Sequence, residues 1–427
     1  MRGPLWLVKL LIRSRLARLI PAVHRLVDGG ADFLHYCSDR VLTLPHQELL
    51  DAAPFLEKRG ADVIDLSVAA PQFDLLASGT TKLPADQRGY PPPLGLPELR
   101  EAVASKLRGD NGLSLAPAEE VLITHGATAA LTVALDTFLN PGDRVVLFDP
   151  TYLLYPLAVR NRRGRILWVP TAGDRGQIRF SLAVLVRALR QAKLLILNSP
   201  ANPTGGVFTP EDLEQIAWWC DRHDVLIFSD EVYERYQYDG PLISIGALPK
   251  ARFRTLTAGS LSKSHALAAY RVGWLAAHRH LARACAATLA VQQPFVSTLC
   301  QQLALAALRL PAESFAPIRA EFAARRQYVL ERLRAMGLKP AWPAGAFFVW
   351  VPVGSFRVSG RTFAERLLRE KRVLVLPGEL FGPSGHDHIR ISYAAEDGRL
   401  REGLNRLAEF LRDIAPVALP AALGRAA

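Results

Sequence analysis

The sequence predicts an α/β fold: a mainly parallel seven-stranded sheet with helices on both faces forms a large domain, beside a smaller α+β domain. Three observations predict it. At 427 residues the chain is long for a single hydrophobic core. From about residue 120 to 280, short runs of Val, Ile, Leu and Phe alternate with helix-length segments. After residue 310 the alternation gives way to long helices and few strands.

Seven apolar runs are the predicted strands of the large sheet, and most lack the alternation of a half-exposed strand, which indicates cover on both faces. They are Val121–Thr124, Arg144–Asp149, Arg165–Val169, Leu194–Asn198, Val225–Asp230, Arg254–Thr257 and Val272–Ala276. Helix-length segments such as Ala127–Leu139 and Pro210–His223 lie between them. Thr209 is placed to cap the second helix, and Glu211 and Asp212 put negative charge in its first turn.

The smaller domain is predicted to combine residues 39–75 with residues 311–413, and the large domain to span residues 76–310. The first segment contains one predicted strand, Val63–Ser67. The second has helices at Glu313–Met336, Arg361–Lys371 and Glu396–Asp413, and strands at Ala346–Val351, around Val373–Leu376 and at Ile389–Ser392. Residues 414–427 are rich in Ala and Pro without periodicity, which predicts a disordered tail.

Residues 1–38 are predicted to be a basic, amphipathic N-terminal extension. Lys9 and Arg13 interrupt its apolar runs, which fall far short of the roughly 20 apolar residues of a spanning helix. No signal-peptide pattern is present. We expect the segment to dock on its own protein or on a partner subunit. Contact of residues 1–27 with an anionic membrane surface is the less favoured alternative. A transit peptide is a further alternative.

Charge and cysteine usage favour a cytoplasmic protein without a nucleic-acid partner. The net charge is +12, from 52 basic and 40 acidic residues, and residues 1–27 contain six of the basic residues and no acid. The body is therefore only mildly basic. The four cysteines are scattered without a CxxC pair, which predicts reduced thiols. His386 and His388 lack a third ligand nearby in sequence, so no metal site is expected.

Polar residues follow four of the predicted strands at their carboxyl ends, where parallel sheets bind ligands. The four segments are Ser199-Pro200-Ala201-Asn202-Pro203-Thr204-Gly205, Asp230-Glu231-Val232-Tyr233, Gly259-Ser260-Leu261-Ser262-Lys263 with Arg271 before the next strand, and His125-Gly126-Ala127-Thr128. The last of these segments stands at a predicted helix start, where free backbone N–H groups favour a phosphate.

In order and spacing, these segments resemble the fold-type-I pyridoxal phosphate enzymes, class I and II aminotransferases in particular, over roughly residues 40–412. The resemblance implies a transaminase that moves an amino group between an L-amino acid and a 2-oxo acid through a Schiff base of pyridoxal 5'-phosphate on Lys263. Lys263 would also shuttle a proton, which requires a lowered pKa. Asp230 would pair with the pyridine nitrogen. Asn202 and Tyr233 would bond the phenolic oxygen of the ring.

The resemblance also assigns binding roles. The phosphate would be held by Arg271, Ser260, Ser262, Thr128 and the backbone of Ala127. Tyr152 would stack on the pyridine ring. Arg390 would grip the α-carboxylate of the substrate, with Asn202 and Ala69 nearby. Tyr90 resembles the tyrosine that reaches the phosphate of the neighbouring subunit, which implies a homodimer with shared active sites.

Two residues depart from better-known members of that family. Ala69 stands where a glycine is usual, and its methyl group would narrow the pocket. Thr128 stands where some bacterial aspartate aminotransferases carry a lysine that recognises a side-chain carboxylate. No second arginine is evident for a dicarboxylate. The expected amino donor is therefore aromatic, aliphatic or basic.

Other functions fit parts of the pattern. A β-lyase, a decarboxylase or an aminocyclopropane-carboxylate synthase-like enzyme would share the lysine, the aspartate and the phosphate site. Ser260 and Lys263 also satisfy the S-x-x-K motif of serine β-lactamases, but the S-D-N and K-T-G partners do not occur. A non-enzymatic sensor would need a fused DNA-binding domain, for which an extension of about 35 residues is too short.

Overall fold

The computed structural model describes residues 62–68, 70, 71, 73, 89–240 and 242–414. Outside these residues lie the whole predicted extension (residues 1–38), residues 415–427 of the predicted tail and the predicted site residue Ala69. Among the helices described, none has the length and hydropathy of a membrane span.

The strands of the described residues lie in one large sheet and two small ones. They are β1 (Ile64–Asp65), β2 (Val121–Thr124), β3 (Arg144–Asp149), β4 (Arg165–Asp174), β5 (Gln177–Phe180), β6 (Leu194–Asn198), β7 (Leu226–Asp230), β8 (Thr255–Ser260), β9 (Gly273–Ala277), β10 (Phe348–Pro352), β11 (Val373–Leu374), β12 (Leu376–Pro377) and β13 (His388–Ser392).

The helices within the same residues alternate with these strands along much of the chain. They are α1 (Pro97–Asn111), α2 (Pro117–Glu120), α3 (Gly126–Phe138), α4 (Leu154–Asn161), α5 (Leu182–Leu189), α6 (Pro210–Arg222), α7 (Leu261–Ser264), α8 (Arg279–Gln292), α9 (Thr298–Leu308), α10 (Ala316–Ala335), α11 (Gly360–Lys371) and α12 (Asp397–Ile414). Thr209 and Asp212 form the reciprocal capping box of α6.

The large sheet has the strand order β2-β9-β8-β7-β6-β3-β4-β5. From β4 to β8 through β3, β6 and β7 the neighbouring strands are parallel, and β9 runs antiparallel between β8 and β2. All seven predicted strands are present. The predicted count of seven is nevertheless wrong, because β5 is an eighth strand that pairs antiparallel with β4.

The eighth strand was missed because β4 continues past its apolar part. Its last residues, Thr171 to Asp174, carry no large apolar side chain that would predict a strand. Arg175 and Gly176 then adopt left-handed backbone angles, with φ values of 47° and 85°, and turn the chain back into β5. Pairing with β4 supplies the backbone hydrogen bonds of this hairpin.

Helices cover both faces of the sheet, as the apolar runs predicted. Val145 and Leu147 of β3 pack with residues of α3 and α8. Val146 and Phe148 of the same strand pack with residues of α5 and α6. Since successive strand residues point to opposite faces, both faces are core, and this explains why the sequence of β3 lacks polar alternation.

A second layer of structure lies against one end of the sheet. It contains the antiparallel sheet β10-β13-β12, in which Trp350 is paired with Arg390, and the parallel pair β1 and β11. One hydrophobic cluster joins these strands to α10, α11 and α12. The pairing of Ile64 with Val373 supports our proposal that residues from before the large sheet belong to the smaller domain.

Candidate active site

A cavity of about 330 Å³ opens at the carboxyl edge of the large sheet, between this edge and β13. The structure brings eleven of the thirteen predicted site residues to its wall: Ala127, Thr128, Tyr152, Asn202, Asp230, Tyr233, Ser260, Ser262, Lys263, Arg271 and Arg390. Because β6, β7 and β8 are parallel, their carboxyl ends meet at one edge, and residues far apart in sequence become neighbours.

Lys263 lies in α7, the short helix that follows β8 directly. The Ser260 hydroxyl accepts a hydrogen bond from the Ser262 backbone N–H at 3.0 Å, which fixes the start of that helix. Burial, with the positive charges of Arg390 and Arg271, lowers the pKa of Lys263 to about 8, while Asp230 acts in the opposite direction. A substantial fraction of this amine is therefore neutral near pH 8, as a nucleophilic lysine requires.

Asp230 ends β7 with only 7% of its surface exposed. The Tyr155 hydroxyl donates a hydrogen bond to its Oδ2 at 2.7 Å, and the Val232 backbone N–H donates to Oδ1 at 3.3 Å. Burial raises the pKa of Asp230, and both hydrogen bonds and the charge of Lys263 oppose that rise. The carboxylate is thus a buried acceptor that can pair with one more donor from the cavity.

Sequence reasoning missed Tyr155, which lines the same cavity. Its ring meets the ring of Tyr152 edge to face, with 5.4 Å between ring centroids. The two tyrosines stand three residues apart, and α4 begins between them. That spacing places side chains on one face of a helical turn, so the Tyr-Leu-Leu-Tyr pattern was the available signal.

Arg390 lies on β13 with 2% of its surface exposed. Its guanidinium carbon is 4.3 Å from the ring centroid of Phe348 and 5.0 Å from that of Phe381. One Nη donates to Asn202 Oδ1 at 2.8 Å and the other to the Ser67 carbonyl. Burial lowers the pKa of Arg390 to about 10, so the group stays charged at neutral pH.

One donor of the Arg390 guanidinium is unused. Within the described part of the chain, the buried Nε of Arg390 has no hydrogen-bond partner. A buried donor without a partner costs about 1–3 kcal/mol. Arg390 itself lines the cavity. The position suits a carboxylate, which Arg recognises in a planar, bidentate manner.

A hydrogen-bond chain holds Asn202 in the cavity wall. The Asn198 Oδ1 accepts from the Asn202 backbone N–H at 2.8 Å, and the Asn198 Nδ2 donates to the Asp230 carbonyl at 2.9 Å. The Asn202 Nδ2 also lies 3.3 Å from the Tyr233 hydroxyl. Burial raises the pKa of Tyr233, which therefore remains a neutral donor. Asn198 was missed because it reads as the last residue of a buried strand.

Donors gather at the remaining end of the cavity. The Arg271 Nη1 lies 3.4 Å from the Ser262 hydroxyl, which in turn lies 2.8 Å from the hydroxyl of Ser260. Gly126 has a φ of 76°, and a Cβ atom there would lie 2.7 Å from the Arg271 guanidinium. Only glycine permits this approach. Together with the first N–H groups of α3, these donors fit a phosphate.

One predicted site residue lies outside the described residues, and another lies away from the described cavity wall. Ala69 is outside the described residues. Tyr90 has 89% of its surface exposed and packs on Phe295, with 5.1 Å between ring centroids. Tyr90 is therefore not part of the described cavity wall of its own chain.

The family model for aminotransferase class I and II matches residues 61–407. The chain belongs to this family. It is 34% identical over 360 residues to an aspartate aminotransferase of Pyrococcus abyssi, covering 82% of this chain and 92% of that protein. It is 33% identical over 375 residues to aromatic-amino-acid aminotransferase 2 of Thermococcus litoralis, covering 86% and 95%.

A solved structure agrees with these relatives. Aspartate aminotransferase from Thermus thermophilus with maleate superimposes with a TM-score of 0.77 at 33% identity, covering 87% of this chain and 99% of that one. The predicted family, fold class, transaminase activity and pyridoxal phosphate cofactor are therefore confirmed. The relatives act, by their names, on different amino acids at similar identity, so the names do not decide the donor.

The lowered pKa of Lys263 predicts its reactivity in the cofactor-free protein. Its labelling by an amine-acylating reagent should rise with a midpoint near pH 8, because only the neutral amine reacts. Peptide mass spectrometry would measure this against Lys250, whose side chain is 60% exposed. Asp230→Asn should lower the midpoint further, since Asp230 raises this pKa. A midpoint at the ordinary value of 10.5 would refute the assignment.

Proposed function

We propose that the cavity beside Lys263 is the active site of this pyridoxal phosphate-dependent aminotransferase, and that the residues described above carry its reaction. The observation that supports this most is their convergence. A lysine with a lowered pKa, a buried aspartate, a buried arginine and a donor-rich anion site share one cavity of about 330 Å³. Structural ion pairs rarely combine these features.

The residues divide into those that hold the cofactor and those that act on the substrate. Pyridoxal phosphate, when bound, supplies an electron sink that stabilises negative charge at the substrate Cα. Arg271, Ser260, Ser262, Thr128 and the N–H groups of α3 from Ala127 onward would hold its phosphate. Asp230 would keep a proton on its ring nitrogen, and Tyr152 would flank its ring. Asn202 and Tyr233 would donate to its ring oxygen.

Lys263 would then perform the proton transfers. In its neutral form the Lys263 amine would take the proton from the substrate Cα. The same group can return that proton to the cofactor side, which is the step that separates transamination from elimination. Phe348 and Phe381 exclude water around Arg390, where the α-carboxylate would bind, and a drier site strengthens that ion pair.

We propose further that the preferred amino donors lack a second carboxylate. The described wall holds three cations, Lys263, Arg271 and Arg390, and each has a function above. Several other wall positions are apolar, among them Val68 and Leu376. A side-chain carboxylate would meet no further cation from these described residues, and burying it unpaired is costly.

A screen of amino donors tests the proposed activity and its substrate class together. Holoenzyme mixed with phenylalanine, leucine, arginine or aspartate should form the matching 2-oxo acid, with aspartate at least about tenfold slower in kcat/KM than the best donor, equivalent to about 1.4 kcal/mol. Absorbance of the bound cofactor and mass spectrometry of the product are the readouts. Lys263→Ala should lose the activity. Release of ammonia in place of transfer would instead favour a lyase.

We also propose that the protein is a homodimer with shared active sites. Arg271 and Thr128 are exposed although Ser260 and Ser262 are buried, so that side of the site is open in one chain. Tyr90 is exposed on the same molecule, as a residue donated to a partner would be. We propose that Tyr90 of one subunit reaches the phosphate site of the other.

Tyr90→Phe tests this arrangement because it removes the hydroxyl and keeps the ring. The variant should remain a dimer by sedimentation, and its dissociation constant for pyridoxal phosphate should rise at least about tenfold, since a hydrogen bond to a charged group contributes about 1.5–3 kcal/mol. Tyr270→Phe, another exposed tyrosine, is the matched control and should bind as the unmodified enzyme does. An active species that sediments as a monomer would exclude shared sites.

A cytoplasmic location is also proposed. Cys220, Cys285 and Cys300 are free in the described part of the chain, and burial raises the pKa of Cys220 and Cys285 to about 12. Such thiols are unreactive and suit a reducing compartment. Cell fractionation should recover the protein with cytoplasmic markers, and recovery with membranes or an organelle would contradict the proposal.

A further inference from the structure

Asp149 is a buried acid outside the chemistry described above. It ends β3, only 4% of its surface is exposed, and the chain continues directly through Pro150 and Thr151 to Tyr152. Its carboxylate accepts hydrogen bonds from Ser384: the backbone N–H lies 3.1 Å from Oδ2, and the hydroxyl lies 2.9 Å from Oδ1. A buried carboxylate without such donors would cost several kcal/mol, so the hydrogen bonds from Ser384 stabilise Asp149 in this position.

The local backbone is shaped to receive that carboxylate. Gly382 has a φ of 134°, and a Cβ atom there would lie 2.3 Å from Asp149 Oδ1. Any other residue at this position would therefore be strained and would displace the acid. A second bond joins the same two segments, because the Thr151 backbone N–H donates to the Phe381 carbonyl at 2.7 Å.

One of the two joined segments leads to the cavity wall, and the other packs against a residue of that wall. Tyr152, on the cavity wall, directly follows Thr151. On the other side, the ring of Phe381 lies 5.0 Å from the guanidinium carbon of Arg390. Ser384 lies four residues before the start of β13, which carries Arg390. A shift of the segment around Ser384 would thus move the packing surface and the strand of Arg390.

We propose that the Asp149 carboxylate and Ser384 form a latch that fixes Arg390 relative to Tyr152 and thereby sets the affinity of the enzyme for the α-carboxylate of its substrates. Asp149 is a positioning residue, since it acts through Arg390. The inference rests on the proposed role of Arg390. Displacement of a binding arginine by a fraction of an ångström weakens a bidentate carboxylate contact but leaves the chemistry at Lys263 in place.

Four variants of the holoenzyme test the latch. Asp149→Asn removes the negative charge and leaves one acceptor oxygen for the two Ser384 donors, and Ser384→Ala removes the hydroxyl alone. Ser384→Thr keeps the hydroxyl and serves as the conservative rescue. Asp143→Asn is the matched control, because Asp143 lies just before the opposite end of β3 and bonds Lys193 away from the cavity.

The readouts separate positioning from structure. They are KM and kcat for the best amino donor, the dissociation constant of an unreactive carboxylate such as 3-phenylpropanoate or 4-methylpentanoate, the absorbance of bound cofactor, and the melting temperature. We expect Asp149→Asn to raise KM and that dissociation constant about tenfold, equivalent to about 1.4 kcal/mol, with kcat within about threefold. Ser384→Ala should give a smaller rise, and Ser384→Thr and Asp143→Asn should match the unmodified enzyme.

Unchanged KM and carboxylate affinity in Asp149→Asn and Ser384→Ala would overturn the latch. A lower melting temperature or kcat with unchanged carboxylate affinity would also overturn it, because it would assign Asp149 to stability alone. Arg390→Lys in the same assay separates the two proposals. If that variant keeps full carboxylate affinity, the proposed role of Arg390 fails. If Arg390→Lys weakens binding and Asp149→Asn does not, only the latch fails.

Discussion

Ionised side chains buried at the carboxyl edge of the sheet govern the construction of this molecule. Asp230, Arg390 and Asp149 are each less than a tenth exposed, and a buried charge is stable only when other groups satisfy it. The fold meets that requirement with partners from distant segments, such as Tyr155 for Asp230. The demand for partners therefore ties the loops at this edge to one another and fixes the shape of the cavity.

The same constraint shapes the electrostatics of the cavity. Asp230 raises the pKa of Lys263, and Arg390 and Arg271 lower it. Burial is the largest cause of each shift, and the neighbouring charges adjust its size. The pKa of Lys263 is thus kept low, while Asp230 and Arg390 stay available to a ligand. Membership of the aminotransferase class I and II family agrees with this arrangement.

Close backbone packing is the second structural requirement of the site. Gly273 on β9 packs against Gly126: a Cβ atom at Gly273 would lie 2.7 Å from the carbonyl carbon of Gly126. Gly126 in turn faces the guanidinium of Arg271. The start of α3 is thereby brought beside the arginine, so helix N–H groups and a guanidinium can share one anion. Gly382 has the corresponding function for Asp149.

Much of this protein follows from local sequence. The strands of the large sheet, its helices on both faces and the placement of Lys263, Asp230 and Asn202 at strand ends were predictable, because apolar periodicity and short motifs depend on residues close together in the chain. The contacts between distant segments were not. Asp149 and Ser384 lie 235 residues apart, and Arg390 and Ser67 lie 323 apart. The hairpin of β5, the bond from Tyr155 to Asp230 and the exposure of Tyr90 likewise emerge only when the packed chain brings separate segments together, since packing and burial are properties of the whole fold.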